Sequence, residues 1–262
     1  MRMIPIAIIA AGAALAQQGP DKLVIPITDP AKPKMLRVSM LTGSITVKGA
    51  AVKEVTVEVH SRGARETGSK GGMRRIGPSG GEVRAEEIDN TVRISVGHSN
   101  QPTDLVITVP RDTSLKLRST NDGSISAADL EGEFDVNNLN GPVTLSNVSG
   151  TVIAHSLNGQ VKVTMAKVDP KKPMSFSTLN GDVDVTLPTD TKASVKMKSD
   201  NGQILSDFEV TPSEGPRVEG GKRDAKGMYR VAIPRFFHGN INGGGQQIDF
   251  TTMNGTIYIR RK

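Results

Sequence analysis

Three charged residues stand at positions from which they could act on a polysaccharide. Lys162, Asp182 and Asp184 follow glycines of a repeated frame, and stacking of that frame would place them on one outer sheet face, beside Thr144 and Gln160. Cleavage of a glycosidic bond requires paired carboxylates, or a carboxylate with a base. The same mixture of residues is typical of a solvated sheet face. The row therefore predicts a glycan contact and, as an alternative function, a carbohydrate-active β-helix enzyme.

A second set of candidates lies in a glycine-rich segment that begins after Ser61. Up to residue 75, Glu66 is its only acid, and it holds five cations, Arg62, Arg65, Lys70, Arg74 and Arg75. Clustered cations can contact anionic lipid head groups, acidic glycans or phosphorylated surface polymers. Because this cluster lacks apolar anchors, a solvated loop also explains it. Contact with an anionic surface is thus a hypothesis that rests on charge alone.

Other catalytic and metal-binding patterns do not occur in the sequence. The four histidines, His60, His98, His155 and His238, lack the spacing of paired ligands, and no Gly-x-Ser-x-Gly elbow is present. Calcium-binding nonapeptide repeats need Gly-Gly-x-Gly-x-Asp in each copy, whereas each repeat here has one glycine. The chain has no cysteine and so no disulfide or thiolate chemistry. We therefore predict a protein that is not an enzyme and that uses no cofactor or metal.

The elements that position these residues follow a repeat of glycines. Gly123, Gly132, Gly141, Gly150 and Gly159 are nine residues apart, and Gly181 and Gly202 follow after 22 and 21 residues. Apolar residues stand two and four positions after most of these glycines, which predicts a short strand with both side chains on one face. A further apolar residue seven positions after the glycine, as at Leu130, Leu139, Val148 and Leu157, is expected to point inward from the following bend.

Stacking of these strands predicts the fold class. Two nonads make a rung of 18 residues, and each strand would pair in parallel with its counterpart on the next rung, about 4.8 Å away. The prediction is an all-β, single-stranded parallel β-helix, or β-solenoid, with about 18–22 residues per rung and two long loops at residues 61–90 and 211–247. Gly123, Gly141, Gly159, Gly181 and Gly202 would stack on one edge, and Gly132 and Gly150 on the other. Because Asn-Gly also starts hairpins, an antiparallel sandwich is the alternative.

Asparagine precedes most of the glycines on the first edge. The predicted structural corners are Asn140-Gly141, Asn158-Gly159, Asn180-Gly181, Asn201-Gly202 and Asn254-Gly255, with Asp122-Gly123 as a variant. Asparagine tolerates left-handed backbone, and glycine adopts it without a clash. Stacked asparagines can also bond one another as a ladder.

The N terminus has the pattern of a secretory signal. Arg2 precedes an apolar run that ends in Ala14-Leu15-Ala16, a small-x-small cleavage site. We expect a signal peptide at residues 1–16, an extended entry segment at 17–34 and one solenoid domain at 35–262, with no transmembrane span in the mature chain. The net charge of the full chain is a modest +6.

The repeated phrases Leu-Asn-Gly-x-Val-x-Val, as at Leu157–Val163, and Asn-Gly-Thr-Ile-x-Ile, at Asn254–Ile259, resemble the bacterial "putative adhesin" family of exported domains. The resemblance covers roughly residues 35–259, and its motifs are structural corners. It implies a β-solenoid and supplies no catalytic motif.

Taken together, these features predict a non-enzymatic exported protein of the cell envelope that acts as an adhesin or as a structural or binding module, either in the periplasm or at the cell surface. Its expected partners are envelope polysaccharide or an anionic surface, and no nucleic acid. Self-association through the open ends of the solenoid is a further expectation.

Overall fold

The computed structural model describes residues 21–61, 82–97, 102–213, 222–223, 229–230 and 236–262. The predicted signal peptide and the basic cluster from Arg62 to Arg75 lie outside these residues, as does His98. Every regular element in the described part is a β-strand. The all-β class is therefore confirmed.

Twenty-two strands follow one another along the chain. The first eleven are β1 (Asp21–Pro26), β2 (Lys34–Thr42), β3 (Ile45–Ala50), β4 (Glu54–Ser61), β5 (Val83–Ile88), β6 (Thr91–Val96), β7 (Thr103–Pro110), β8 (Thr113–Asn121), β9 (Ile125–Ala128), β10 (Glu131–Asn140) and β11 (Val143–Asn158). The others are β12 (Val161–Val168), β13 (Met174–Asn180), β14 (Val183–Leu187), β15 (Ala193–Asn201), β16 (Ile204–Ser206), β17 (Val210–Pro212), β18 (Lys222–Arg223), β19 (Tyr229–Arg230), β20 (Phe237–Ile241), β21 (Gln246–Asn254) and β22 (Ile257–Arg261).

Apart from the small β18–β19 hairpin, the strands form one continuous sheet with two layers. In spatial order, layer A contains β5, β6, β2, β8, β10, the second part of β11, β13, β21, β15, β20 and β17. Layer B contains β1, β4, β7, β3, β9, the first part of β11, β12, β14, β22 and β16.

The middle of each layer is parallel, whereas both ends of layer A and one end of layer B carry antiparallel strands. In layer A, β5 pairs antiparallel with β6, and β20 pairs antiparallel with both β15 and β17. In layer B, β4 is antiparallel to both β1 and β7. A solenoid-like stack is thus present, but the prediction of a single-stranded, purely parallel β-helix is wrong, because antiparallel strands extend the sheet at both ends.

Alternation of buried and exposed residues places one apolar core between the layers. Val, Ile, Leu, Ala and Met fill most of it, and the rings of Phe176 and Phe250 stack with centroids 5.5 Å apart. Each fully buried aliphatic side chain stabilises the fold by about 1.5–3 kcal/mol. This core fits the scarcity of aromatic residues in the sequence.

The apolar residue seven positions after each glycine was expected to point inward. Only two of the four do so. Leu130 and Val148 are buried, whereas Leu139 is 41% exposed and Leu157 is half-buried. The difference follows from the bends. A left-handed residue precedes each buried one, Asp129 (φ 60°) before Leu130 and Asn147 (φ 54°) before Val148, and it reverses the alternation. Before Leu139 and Leu157 the strand continues extended, so these side chains point outward.

The rungs are not stacked in the order of the chain. The rung of β2 and β3 lies between those of β6–β7 and β8–β9, and the rung of β21 and β22 lies between those of β13–β14 and β15–β16. Gly255 therefore separates Gly181 from Gly202, which were expected to be neighbours.

Strands occupy parts of both predicted long loops. β5 lies within residues 61–90, and β17, β20 and the start of β21 lie within residues 211–247. β5 was missed because its charged and half-buried residues do not show a clean apolar alternation. The predicted entry segment likewise contains β1, which pairs with β4. The last strand of the chain belongs to an inner rung, since β22 pairs with both β14 and β16.

Candidate functional site

The Asn-Gly corners form a continuous ladder along one edge of the stack. Each asparagine amide donates to the side-chain oxygen on the next rung, in the order Asn201 to Asn254 (2.8 Å), Asn180 (2.7 Å), Asn158 (2.7 Å) and Asn140 (2.8 Å). Asn140 in turn donates to Asn121, at 3.4 Å. Asn121, and not Asp122, is therefore the member of the ladder on that rung.

Left-handed backbone belongs to the glycines rather than to the asparagines of these corners. Gly141, Gly181 and Gly255 have φ values of 146°, 151° and 157°. A Cβ on Gly159 would lie 2.4 Å from the carbonyl oxygen of Gly141, so the close contact between rungs also requires glycine. The asparagines contribute the amide ladder without adopting positive φ, and only Asp122, in the variant corner, is left-handed (φ 46°).

A second ladder of hydrogen bonds lies just inside the corners. The inward residue two positions before the asparagine donates to the glycine carbonyl of the neighbouring rung, as Ser199 does to Gly255 (2.8 Å) and Thr178 to Gly159 (2.8 Å). Thr252, Ser156, Asn138 and Ser119 do the same. The recurring Ser/Thr-x-Asn-Gly pattern is a sequence signal for this ladder that the glycine repeat alone does not show. Both ladders stabilise the stack and leave the outer faces to carry function.

Lys162, Asp182 and Asp184 lie on the outer face of layer B. The side chains of both acids accept hydrogen bonds from the neighbouring rung. Lys162 lies between Thr144 and Asp184 on adjacent strands. Asp184 is 8% exposed and accepts a hydrogen bond from Nε of Arg260 at 2.8 Å, which raises the pKa of that guanidinium above its ordinary value. Asp182 accepts from the backbone N–H of Thr256 at 2.8 Å. Both carboxylates thus serve contacts within the stack.

A cluster of five cationic side chains lies on the outer face of layer A. We call it the cationic pocket, and it is formed by Arg37 on β2, Arg84 on β5, Arg93 on β6, and Lys116 and Arg118 on β8. Glu86 on β5 is the only acid that lines it, and its volume is about 420 Å³. Adjacent strands bring these side chains together from three separate parts of the sequence.

Like charges oppose one another directly in this pocket. Arg37 is the register partner of Arg93 on one side and of Lys116 on the other. Adjacent strands are about 4.8 Å apart, and like charges directly opposite destabilise a sheet. Within the described residues, no ion pair joins Arg37, Arg93 or Arg118 to a carboxylate.

Acids face both ends of this row, because Glu86 is the register partner of Arg93 and Asp135 is that of Lys116, so Arg37 is the member with a cation on each side. Lys116 forms an ion pair with Asp135 at 2.8 Å, and Arg84 lies 3.5 Å from the exposed Glu82. Small side chains, Ser39 and Ser95, occupy the row beside Arg37 and Arg93, so the long cationic side chains surround a depression. Guanidinium groups present planar pairs of N–H donors that match phosphate, sulfate or carboxylate oxygens. The arrangement can therefore hold an anionic group.

Comparison with family models assigns residues 18–242 to the model described as Toastrack DUF4097. The chain belongs to the Toastrack DUF4097 family. Among solved structures, this chain is similar to that of a protein described as a "putative cell adhesion protein" from Clostridium sporogenes ATCC 15579. The match has a TM-score of 0.45 and 14% sequence identity, and it covers 93% of this chain and 100% of the other. No curated protein matches this chain.

In this Toastrack DUF4097 chain, the order of the rungs explains why the sequence did not reveal the cationic pocket. Arg37 belongs to a rung that lies between two later ones, so residues 37, 93 and 116 become neighbours only in the folded stack. The cations of β2, β6 and β8 are visible in the sequence, but their alignment is not. The basic residues that the sequence did suggest, from Arg62 to Arg75, lie outside the described residues.

The described residues of this Toastrack DUF4097 chain offer no clear metal site. His155 points outward as expected, and its Nδ1 lies 2.9 Å from the Ser177 hydroxyl. No group of three or more histidine, aspartate and glutamate side chains in these residues is placed to hold a metal ion.

No helix long and apolar enough to cross a membrane occurs among the residues that the structure describes.

Proposed function

We propose that this protein is an exported, non-enzymatic binding module of the cell envelope whose cationic pocket binds the anionic groups of an envelope polysaccharide. The row Arg93–Arg37–Lys116 carries the proposal. Arg37 lies directly between two cations, with acids opposite only the outer two, and a bound anion would remove the repulsion at the centre of the row. Export rests on the signal-like residues 1–16.

Binding rather than catalysis is favoured by the composition of the pocket. Cleavage of a polysaccharide needs a proton donor and an acceptor with suitably placed carboxylates or a comparable base. Glu86 is the only carboxylate that lines the pocket, beside five cationic side chains. This set of side chains can neutralise and orient an anion but has no partner for proton transfer.

A polysaccharide is favoured over a lipid surface by the shape of the site. The cations surround a depression of about 420 Å³ on a sheet face, which suits a protruding sulfated, phosphorylated or carboxylated sugar. A flat membrane surface would be contacted better by protruding cations with apolar side chains between them. The exposed serines Ser39 and Ser95 of the pocket provide no such anchor.

The test is a binding measurement on residues 17–262 with three probes: a sulfated dextran, neutral dextran of the same length, and vesicles with anionic lipid. We expect saturable binding to the sulfated polymer, no binding to the neutral one and little to the vesicles. Affinity should fall as salt rises from low to moderate concentration, because screening weakens exposed charge interactions. Binding to vesicles alone, or equal binding to both dextrans, would contradict the proposal.

A further inference from the structure

A separate cavity lies at the corner opposite the Asn-Gly ladder, among the C-terminal rungs. We call it the corner cavity. It has a volume of about 520 Å³ and forms where β12 and β14 end and β15 and β21 begin. None of the residues that line it belongs to the cationic pocket. The corner cavity is therefore a site separate from the cationic pocket.

Two insertions in the repeat build this cavity. Residues 169–173 and 188–192 lengthen two successive corners, and each insertion contributes a proline, Pro170 and Pro188, to the wall. The second insertion is held as a turn by a hydrogen bond from the Thr191 N–H to the Pro188 carbonyl at 3.1 Å. The Asn242 amide holds the same turn through the carbonyl of Thr191 at 2.8 Å. The cavity is thus formed by a fixed turn.

Two polar atoms at this cavity have no hydrogen-bond partner. Thr191 is only 6% exposed, and its hydroxyl is buried and unpaired, as is the side-chain nitrogen of Gln246. Both residues line the cavity. Buried polar groups in proteins are nearly always paired, so two orphaned groups at one cavity indicate a place where a bound molecule supplies the partner.

The chemistry of the lining defines that molecule. Gln246 Nε2 can only donate, the Thr191 hydroxyl can donate, and Lys167 and Lys192 add two cations, against one acid, Asp190. Such a set fits an acceptor with negative charge. The rest of the wall is small and aliphatic, from Ala166, Val168 and the two prolines, with no aromatic platform for a sugar ring.

We propose that the corner cavity binds the free carboxylate end of a peptide with small aliphatic side chains. The carboxylate accepts hydrogen bonds from Thr191 and Gln246 and is neutralised by Lys192. The last side chains of the peptide pack against Val168 and Pro188. A chain end fits this lining because a free carboxylate supplies the acceptor oxygens and the negative charge that Thr191, Gln246 and the lysines complement.

The experiment is an NMR titration of residues 17–262 with trialanine, with trialanine amide and with glucuronate. We expect the free acid to bind at least about tenfold more tightly than the amide, since the amide removes the charge that the lysines recognise. Equal affinity for acid and amide, or no saturation by either, would overturn the proposal. Saturable binding of glucuronate instead of trialanine would overturn the peptide as the ligand.

The variant Thr191→Val keeps the shape of the side chain and removes only the unpaired hydroxyl. We expect it to fold with unchanged or raised Tm and to lose trialanine affinity about tenfold or more. Lys192→Met should weaken binding as well, whereas Lys171→Met, in the neighbouring corner but outside the lining, should not. Full trialanine affinity in Thr191→Val would show that the orphaned hydroxyl is no part of a ligand site.

Discussion

Arg37 on β2 and Arg93 on β6 are direct cross-strand neighbours on the outer face of layer A, and no ion pair in the described residues neutralises either guanidinium. The insertion of β2 between β6 and β8 creates this neighbour relationship. An alternation of opposite charges would stabilise the same strands better. A bound anionic polymer would remove this repulsion, which is why we propose the cationic pocket as its binding site.

Arg37→Thr should stabilise the free protein, because it removes the repulsion with both Arg93 and Lys116 and introduces a residue that is favoured in strands. We expect a gain of about 0.2–1 kcal/mol in the free energy of unfolding at low salt, which shrinks at high salt. Urea unfolding measures it. Lys48→Thr on layer B, whose register partners are Thr108 and Ala128, serves as the control and should change little. A loss of stability in Arg37→Thr would contradict the repulsion.

Asn158→Ala should destabilise the stack more than Asn201→Ala. Asn158 donates to Asn140 and accepts from Asn180, whereas Asn201 at the end of the ladder donates only to Asn254. With about 0.5–1.5 kcal/mol for each hydrogen bond, the inner variant should lose about twice as much free energy of unfolding. Equal losses in urea unfolding would mean that the amides act separately and not as a ladder.

Thr178→Val should destabilise the protein, because it breaks one hydrogen bond of the second ladder, the one inside the Asn-Gly corners. The substitution keeps the side-chain volume but removes the hydroxyl that donates to the Gly159 carbonyl at 2.8 Å. We expect a loss of about 1–3 kcal/mol, because a buried carbonyl loses its partner. Thr186→Val, on the outer face of layer B, is the matched control and should stay within about 0.5 kcal/mol. Equal thermal and urea stability of both variants would exclude a structural role for the hydroxyl.

Protonation of Glu87 should make the protein less stable in acid. The hydroxyl of Thr28 donates to its carboxylate at 2.8 Å, and this bond, followed by one from the Asn90 N–H, lowers the pKa of Glu87. A lowered folded pKa gives stability that is present above the unfolded value of about 4.3 and is lost as pH falls through the folded value. Thr28→Val should therefore be less stable than the parent at pH 7, and the difference should vanish in strong acid. A difference that is constant with pH would contradict this linkage.

The sequence predicted the local unit and not the order in which the units stack. The Asn-Gly spacing correctly indicated corners such as Asn158-Gly159 and parallel neighbours such as β12 and β14, because these depend on residues within one repeat. The insertion of β2 and β21 into the stack depends on long-range pairing, which a repeat cannot specify when every rung has a similar edge. The same limit hid the cationic pocket, since Arg37 meets Arg93 only through that insertion.

The most direct test of the account compares two variants that lose the same charge from different faces. Arg37→Thr/Arg93→Thr empties the centre of the cationic pocket, and Lys48→Thr/Lys162→Thr removes two cations from the outer face of layer B, including the lysine that the sequence suggested for glycan contact. The measurement is the affinity of each for sulfated dextran at fixed salt. The account predicts a loss of at least about tenfold for the first variant and nearly unchanged affinity for the second. Equal losses would show that net charge alone drives binding and would contradict a specific site on layer A.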